Sequence, residues 1–283
     1  MPAIDYEKEY DNRGRVPEHP EIFARWAHEA AAYRDAARDA EFGLRYGPDA
    51  RQTIDLFPAK DDDEQTPLAL FIHGGWWRSL EPAMFSQLAA GPNARGVSVA
   101  VAGYELCPQV SIATIIEQMR AACLWLWRKQ RKRVFVYGHS AGGHLAACLL
   151  AQDWKAFASD APADLVPAAY SISGVFDLAP LCHVSQNADL RLDDQEARRV
   201  SPLYWKVPAG RRFDAVVGSL ESSEFLRQSK IIAEGWGARG VATRYQEIAG
   251  ANHFTAVDPL GDPASAMTRR VVELAQYTNV LTR

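Results

Sequence analysis

The chain has 283 residues, 48% of them hydrophobic and 23% charged, which is length and apolar content enough to bury the core of an ordinary globular protein. A formal net charge of −4 supplies no basic surface for nucleic acid. No stretch approaches the roughly 18 uninterrupted apolar residues of a membrane span, and residues 1–9 lack both the basic and the apolar region of a signal peptide.

Residues 20–39 set Ile22, Phe23, Trp26, Ala30 and Tyr33 at three- and four-residue spacings, which predicts a helix. It precedes the main pattern, and three roles stay open for it: capping a site, pairing subunits or padding a sheet. Residues 51–57 alternate like a strand, and Asp61-Asp62-Asp63-Glu64 reads as a solvated loop. Residues 67–72 (PLALFI) and 96–102 (GVSVAVA) are short, continuous apolar runs, as in strands buried on both faces. Residues 111–127 read as a long helix with Ser111 as its N-cap. Further strands are expected at 133–137, 168–173, 213–217 and 243–248, and helices at 140–152, 222–236 and 263–277.

Strand and helix thus alternate from about residue 67 onward, which implies one α/β domain: a mostly parallel sheet with helices on both faces. Residues 179–208 break the rhythm with Arg191, Asp193, Asp194, Glu196, Arg198 and Arg199. They are expected to form a small cap insertion over the carboxyl ends of the strands, where open α/β sheets bind ligands; a plain surface helix pair is the competing reading. The four cysteines, Cys107, Cys123, Cys148 and Cys182, are widely spaced, as reduced thiols of a cytoplasmic protein would be.

Gly138-His139-Ser140-Ala141-Gly142 joins the 133–137 strand to the helix that follows. A serine hydroxyl is a poor nucleophile unless a sharp turn projects it and a base stands beside it. Strand, tight glycine turn and helix, in that order, make the context of a nucleophile elbow. A phosphate cradle is the competing reading, but the segment has neither Gly-Lys-Ser/Thr nor G-x-G-x-x-G. His73-Gly74-Gly75-Trp76-Trp77 follows the PLALFI strand. There the amides of Gly74, Gly75 and Trp76, with that of Ala141, are expected to face a developing oxyanion; otherwise the segment is a tight turn covered by two tryptophans.

The serine needs a base. Of seven histidines, only His253 lies in a loop after the last strand, where the order nucleophile, acid, histidine requires it. The acid must follow the 213–217 strand. Glu221, in the turn, is preferred to Glu224, one turn into the next helix, where a carboxylate would serve the helix dipole. Asp214 lies within the strand, out of reach. Trp76, Trp77, Tyr204 and Trp205 offer flat apolar walls for an aryl group, and His139 borders the nucleophile; these five are the expected substrate-binding residues. No H-E-x-x-H or clustered ligand set is present, so no metal and no cofactor is expected.

The set HGGWW, Tyr104-Glu105-Leu106-Cys107-Pro108, GHSAGGHL, Ser173-Gly174-Val175-Phe176-Asp177-Leu178 and GANHF resembles the α/β-hydrolase fold from about Tyr46 onward. Within it the set is similar to the kynurenine formamidase (arylformamidase) group, near the hormone-sensitive-lipase-type esterases. The resemblance implies Ser140 as nucleophile, Glu221 as acid and His253 as base. It implies an aryl formamide such as N-formylkynurenine as the small-molecule substrate, and a homodimer as the family-level expectation. One departure stands out: the family's acid is most often Asp. A carboxylesterase or thioesterase would use the same triad, and a non-catalytic ligand-binding module would share the fold.

Overall fold

The computed structural model describes residues 4–280. Eight strands form one sheet: β1 (Glu41–Arg45), β2 (Thr53–Phe57), β3 (Leu68–Ile72), β4 (Ser98–Ala102), β5 (Val134–His139), β6 (Ala168–Ile172), β7 (Arg212–Gly218) and β8 (Ala242–Ile248), in spatial order 1-2-4-3-5-6-7-8. The β1–β2 and β2–β4 pairs are antiparallel, and the other five are parallel. The helices are α1 (Tyr6–Tyr10), α2 (Asn12–Arg15), α3 (His19–Ala36), α4 (Ala90–Ala94), α5 (Ile112–Gln130), α6 (Ala141–Leu150), α7 (Trp154–Phe157), α8 (Asn187–Leu190), α9 (Asp194–Arg199), α10 (Ser223–Gly237) and α11 (Ala266–Val280).

The continuous apolar runs become central strands because a two-residue period sends successive side chains to opposite faces, and both faces are covered. Leu68, Leu70, Ile72, Ala100, Val134 and Val136 join one core with residues of α5, α6 and α10. Ala69, Phe71, Val99, Val101, Phe135 and Tyr137 join the opposite core with residues of α3 and α11. Ser111 caps α5 as expected, its Oγ accepting the Thr114 amide at 3.2 Å.

The mostly parallel sheet between helices matches the expectation, with two differences near the N-terminus. The edge strand β1 was not foreseen, because Glu-Phe-Gly-Leu-Arg lies largely exposed and shows no buried alternation. The segment before α3 also folds, into the short helices α1 and α2, and α3 itself buries Ile22, Trp26 and Ala30. Among the described residues, no helix is long and apolar enough to cross a membrane, and no group of three or more His, Cys, Asp or Glu side chains is placed to hold a metal ion.

Candidate active site

Ser140 stands between β5 and α6 with φ 56° and ψ −116°. A non-glycine residue held in that region carries on the order of 1–3 kcal/mol of strain, which the surroundings must over-determine. They do so from both sides. The Ser140 amide donates to the Ile172 carbonyl at 2.8 Å. Gly142 packs so closely on β3 that a Cβ there would lie 1.9 Å from the Ile72 carbonyl oxygen. The strained turn lifts the hydroxyl out of the sheet.

His253 follows β8 in a loop organised by Asn252, whose Oδ1 accepts the Phe254 and Thr255 amides at 3.0 and 2.9 Å. Its Nε2 lies 3.1 Å from Ser140 Oγ and its Nδ1 lies 2.6 Å from Glu221 Oε2. A carboxylate beside Nδ1 requires the proton there, which leaves the Nε2 lone pair facing the serine hydroxyl. All three residues are buried, at 5, 6 and 4% exposure for Ser140, Glu221 and His253.

The carboxylate of Glu221 is itself held. Its Oε1 accepts from Ser173 Oγ at 2.5 Å and from the Gly218 amide at 2.7 Å, so only Oε2 is left for the imidazole. Ser173 belongs to the Ser-Gly-Val-Phe-Asp-Leu segment, whose part in the site has no signature in the sequence. Glu224 turns elsewhere: Arg227 donates to its Oε1 and Oε2 at 2.7 and 2.8 Å, and Tyr10 donates to its Oε2 at 3.0 Å. Asp214 is bound by Arg270 at 2.7 and 3.0 Å. Of the carboxylates weighed from the sequence, Glu221 is the one that meets His253.

His139 packs beside this relay. Its Nε2–H donates to the His253 carbonyl at 2.8 Å. Burial, with the neighbouring His253, holds its pKa well below the usual histidine range, so the ring is neutral. Gly74 packs against Ser140: a Cβ there would fall 3.1 Å from Ser140 Cβ and 3.0 Å from the His139 carbonyl oxygen. The Gly74 carbonyl is fixed by His73 Nδ1–H at 2.7 Å, and His73 stacks on Tyr104 with ring centroids 4.4 Å apart. Among the described residues, no protein acceptor takes the amides of Gly74, Gly75 or Trp76. The Ala141 amide opens α6, where helical N–H groups have no intrahelical partner.

The relay opens on a cleft whose empty space, open solvent included, is about 640 Å³. His139, Ser140 and His253 lie in it, and its aromatic walls are Tyr10, Phe23, Trp26, Trp76 and Phe254. Phe23 and Trp26 come from α3, the helix whose role stays open in the sequence, and Tyr10 comes from α1; α3 thus reaches the cleft and also packs Ile22 and Trp26 onto one face of the sheet. Three expected wall residues are not there. Trp77 is 1% exposed and packs edge-on against His144 at 5.0 Å. Two successive left-handed residues, φ 55° at Trp76 and 52° at Trp77, turn the chain so that one ring faces the cleft and the next the core. Tyr204 is exposed under the Arg198 guanidinium, and Trp205 donates its Nε1–H to the Arg199 carbonyl. The chain around them is drawn away from the cleft, because His144 Nε2 binds the Val200 carbonyl at 2.7 Å and the Leu203 amide binds that of Phe176 at 3.2 Å. From the 179–208 insertion, Gln186 lines the cleft.

Residues 69–256 match the family model of the alpha/beta hydrolase fold, and the chain belongs to that family. It is a hydrolase of the serine type that this fold carries. Over 239 residues it is 29% identical to a kynurenine formamidase of Drosophila melanogaster, covering 80% of this chain and 78% of the relative. It is 25% identical to a kynurenine formamidase of Danio rerio over 239 residues, covering 81 and 80%. Among solved structures, a proposed thioesterase from a Silicibacter species superposes with a TM-score of 0.85 at 28% identity, over 95% of this chain and 99% of that one. An esterase of the bacterial hormone-sensitive-lipase family, at 18% identity and a TM-score of 0.69 over 93 and 99% of the two chains, shares the fold.

Proposed function

We propose that the protein hydrolyses an aryl formamide of the N-formylkynurenine type to the aryl amine and formate, with Ser140, His253 and Glu221 as its triad. The observation that carries this reading is the continuous relay from Glu221 through His253 to Ser140, opening on an aromatic-walled cleft. The kynurenine formamidases that match four-fifths of the chain supply the substrate class.

Ser140 Oγ attacks the formyl carbon as His253 Nε2 takes the hydroxyl proton. The carbonyl electrons move onto oxygen, and the free amides of Gly74, Gly75 and Trp76, with that of Ala141, stabilise this oxyanion. Glu221 keeps the proton on Nδ1 and balances the charge of the imidazolium. When the intermediate collapses, the C–N bond breaks and His253 hands its proton to the departing nitrogen. Water then attacks the formyl ester, again losing a proton to His253, and formate leaves as Ser140 regains its hydrogen. An anilide nitrogen leaves poorly without protonation, so His253 matters more as an acid here than in an ester hydrolase.

Ester or thioester hydrolysis is the second reading, favoured by the Silicibacter neighbour. Both use the same relay, and kcat/KM on N-formylkynurenine, on short aryl acetates and on an acyl thioester separates them. A preference of several orders for either ester type defeats the formamide reading. On the proposed reading the enzyme works in the cytoplasm, where its four free cysteines stay reduced. It is proposed to work there as a homodimer, which light scattering of the full chain tests.

A further inference from the structure

Two polar side chains of α2 line the cleft and are not used by chemistry at Ser140. Asn12 is 5% exposed and lines the cleft, yet neither its Oδ1 nor its Nδ2 has a partner. Buried amides are paired in nearly all folded proteins, so an orphan beside a ligand cleft marks a group kept for the ligand. Arg13, next along, also lines the cleft. Its guanidinium packs over the Phe23 ring at 5.9 Å, and among the described residues it makes no ion pair.

The other charges at the rim are engaged. Arg78 pairs with Asp189. Asp11 turns back into α2, its Oδ1 accepting the Gly14 amide at 2.9 Å. Arg15, outside the cleft, faces Glu9 at 4.0 Å. The platform is anchored as well. Tyr10 is bonded to both Glu224 and Gln228 at 3.0 Å, and Glu9 accepts from Ser223 Oγ and the Glu224 amide at 2.7 and 3.0 Å.

We propose that Asn12 and Arg13 form an anion subsite that binds a carboxylate carried on the substrate, so that the enzyme selects acidic aryl substrates over neutral ones. The aryl-formamide part of this rests on the function proposed above; the charge preference does not. A guanidinium fork matches a carboxylate in two parallel hydrogen bonds, and the Asn12 amide adds a third donor. One such charge-assisted contact is worth about tenfold to a hundredfold in affinity.

The test is the ratio of kcat/KM for N-formylkynurenine to that for its α-carboxamide, which keeps the shape but replaces the anionic oxygen with a neutral NH₂. The full chain is expected to favour the acid by at least about tenfold. Arg13→Gln should lower the ratio about tenfold or more, chiefly through KM; Arg13→Lys should keep part of it, and Asn12→Ala should lower it less. Arg15→Gln should leave it in place, and melting temperatures confirm that each variant is folded. A wild-type ratio near one, or equal losses on both substrates in Arg13→Gln, overturns the subsite. If neither formamide is cleaved but aryl acetates are, the formamidase reading fails on its own. The same ratio, measured with carboxylate-bearing and neutral aryl acetates, then decides the subsite.

Discussion

Glu221→Gln probes the relay with almost no change of shape. The outcome follows from the two donors that already hold Glu221 Oε1, Ser173 Oγ–H at 2.5 Å and the Gly218 N–H at 2.7 Å. A glutamine here must give its carbonyl oxygen to those donors, which puts its NH₂ where Oε2 meets His253 Nδ1. Nδ1 must then accept, the ring proton moves to Nε2, and Nε2 no longer offers a lone pair to Ser140. The fold and the 3.1 Å spacing to Ser140 survive while the tautomer is wrong. In serine-protease triads the equivalent amide costs on the order of 10⁴ in kcat, about 5 kcal/mol, and a similar loss is expected here. The assay is steady-state kcat on N-formylkynurenine and an aryl acetate near neutral pH, with melting curves to show folding. A variant that is folded and within tenfold of wild type would refute the tautomer argument.

Trp76→Ala removes a cleft wall and is expected to lower kcat/KM on the aryl substrate about tenfold, whereas Trp205→Ala, outside the cleft, should stay within about twofold; initial-rate measurements decide. Gly142→Ala forces a Cβ to within 1.9 Å of the Ile72 carbonyl, and denaturant titration should show a loss of at least about 3 kcal/mol. Gly235→Ala, in α10 with its nearest obstacle at 3.5 Å, should instead gain about 0.5–1 kcal/mol. Burial pushes His73 and His144 down from 6.5 to about 4, so both are neutral in the folded protein at neutral pH. The unfolded chain therefore takes up protons first as the pH falls. The stabilisation is whole above pH 6.5 and drains away toward pH 4, by up to about 3 kcal/mol for each ring. Urea titrations at pH 7 and 5 should show the loss, and His144→Gln should make it shallower; a variant with the wild-type slope would contradict this.

What could be read in the chain was what has a local signature. The apolar runs located the central strands, because a strand covered on both faces leaves no polar positions. The glycine turn located Ser140, and chain order alone picked His253 from seven histidines. What could not be read depends on where side chains point or on distant pairing. Ser173 reaches Glu221 across 48 residues, and Tyr10 reaches Glu224 across 214. Helices α1 and α2 have five and four residues, too few to show a period, so a wall of the cleft gave no signal. Trp77, Tyr204 and Trp205 were misplaced for a related reason: an aromatic residue looks alike in sequence whether it faces a ligand, the core or solvent.

The most direct test of the central claim is to trap the nucleophile. Incubation with an aryl phosphonate and peptide mapping by mass spectrometry should give one adduct per chain, on Ser140, and Ser140→Ala should neither label nor turn over N-formylkynurenine. An adduct on another residue, or a folded Ser140→Ala variant that still releases formate at the wild-type rate, would contradict it.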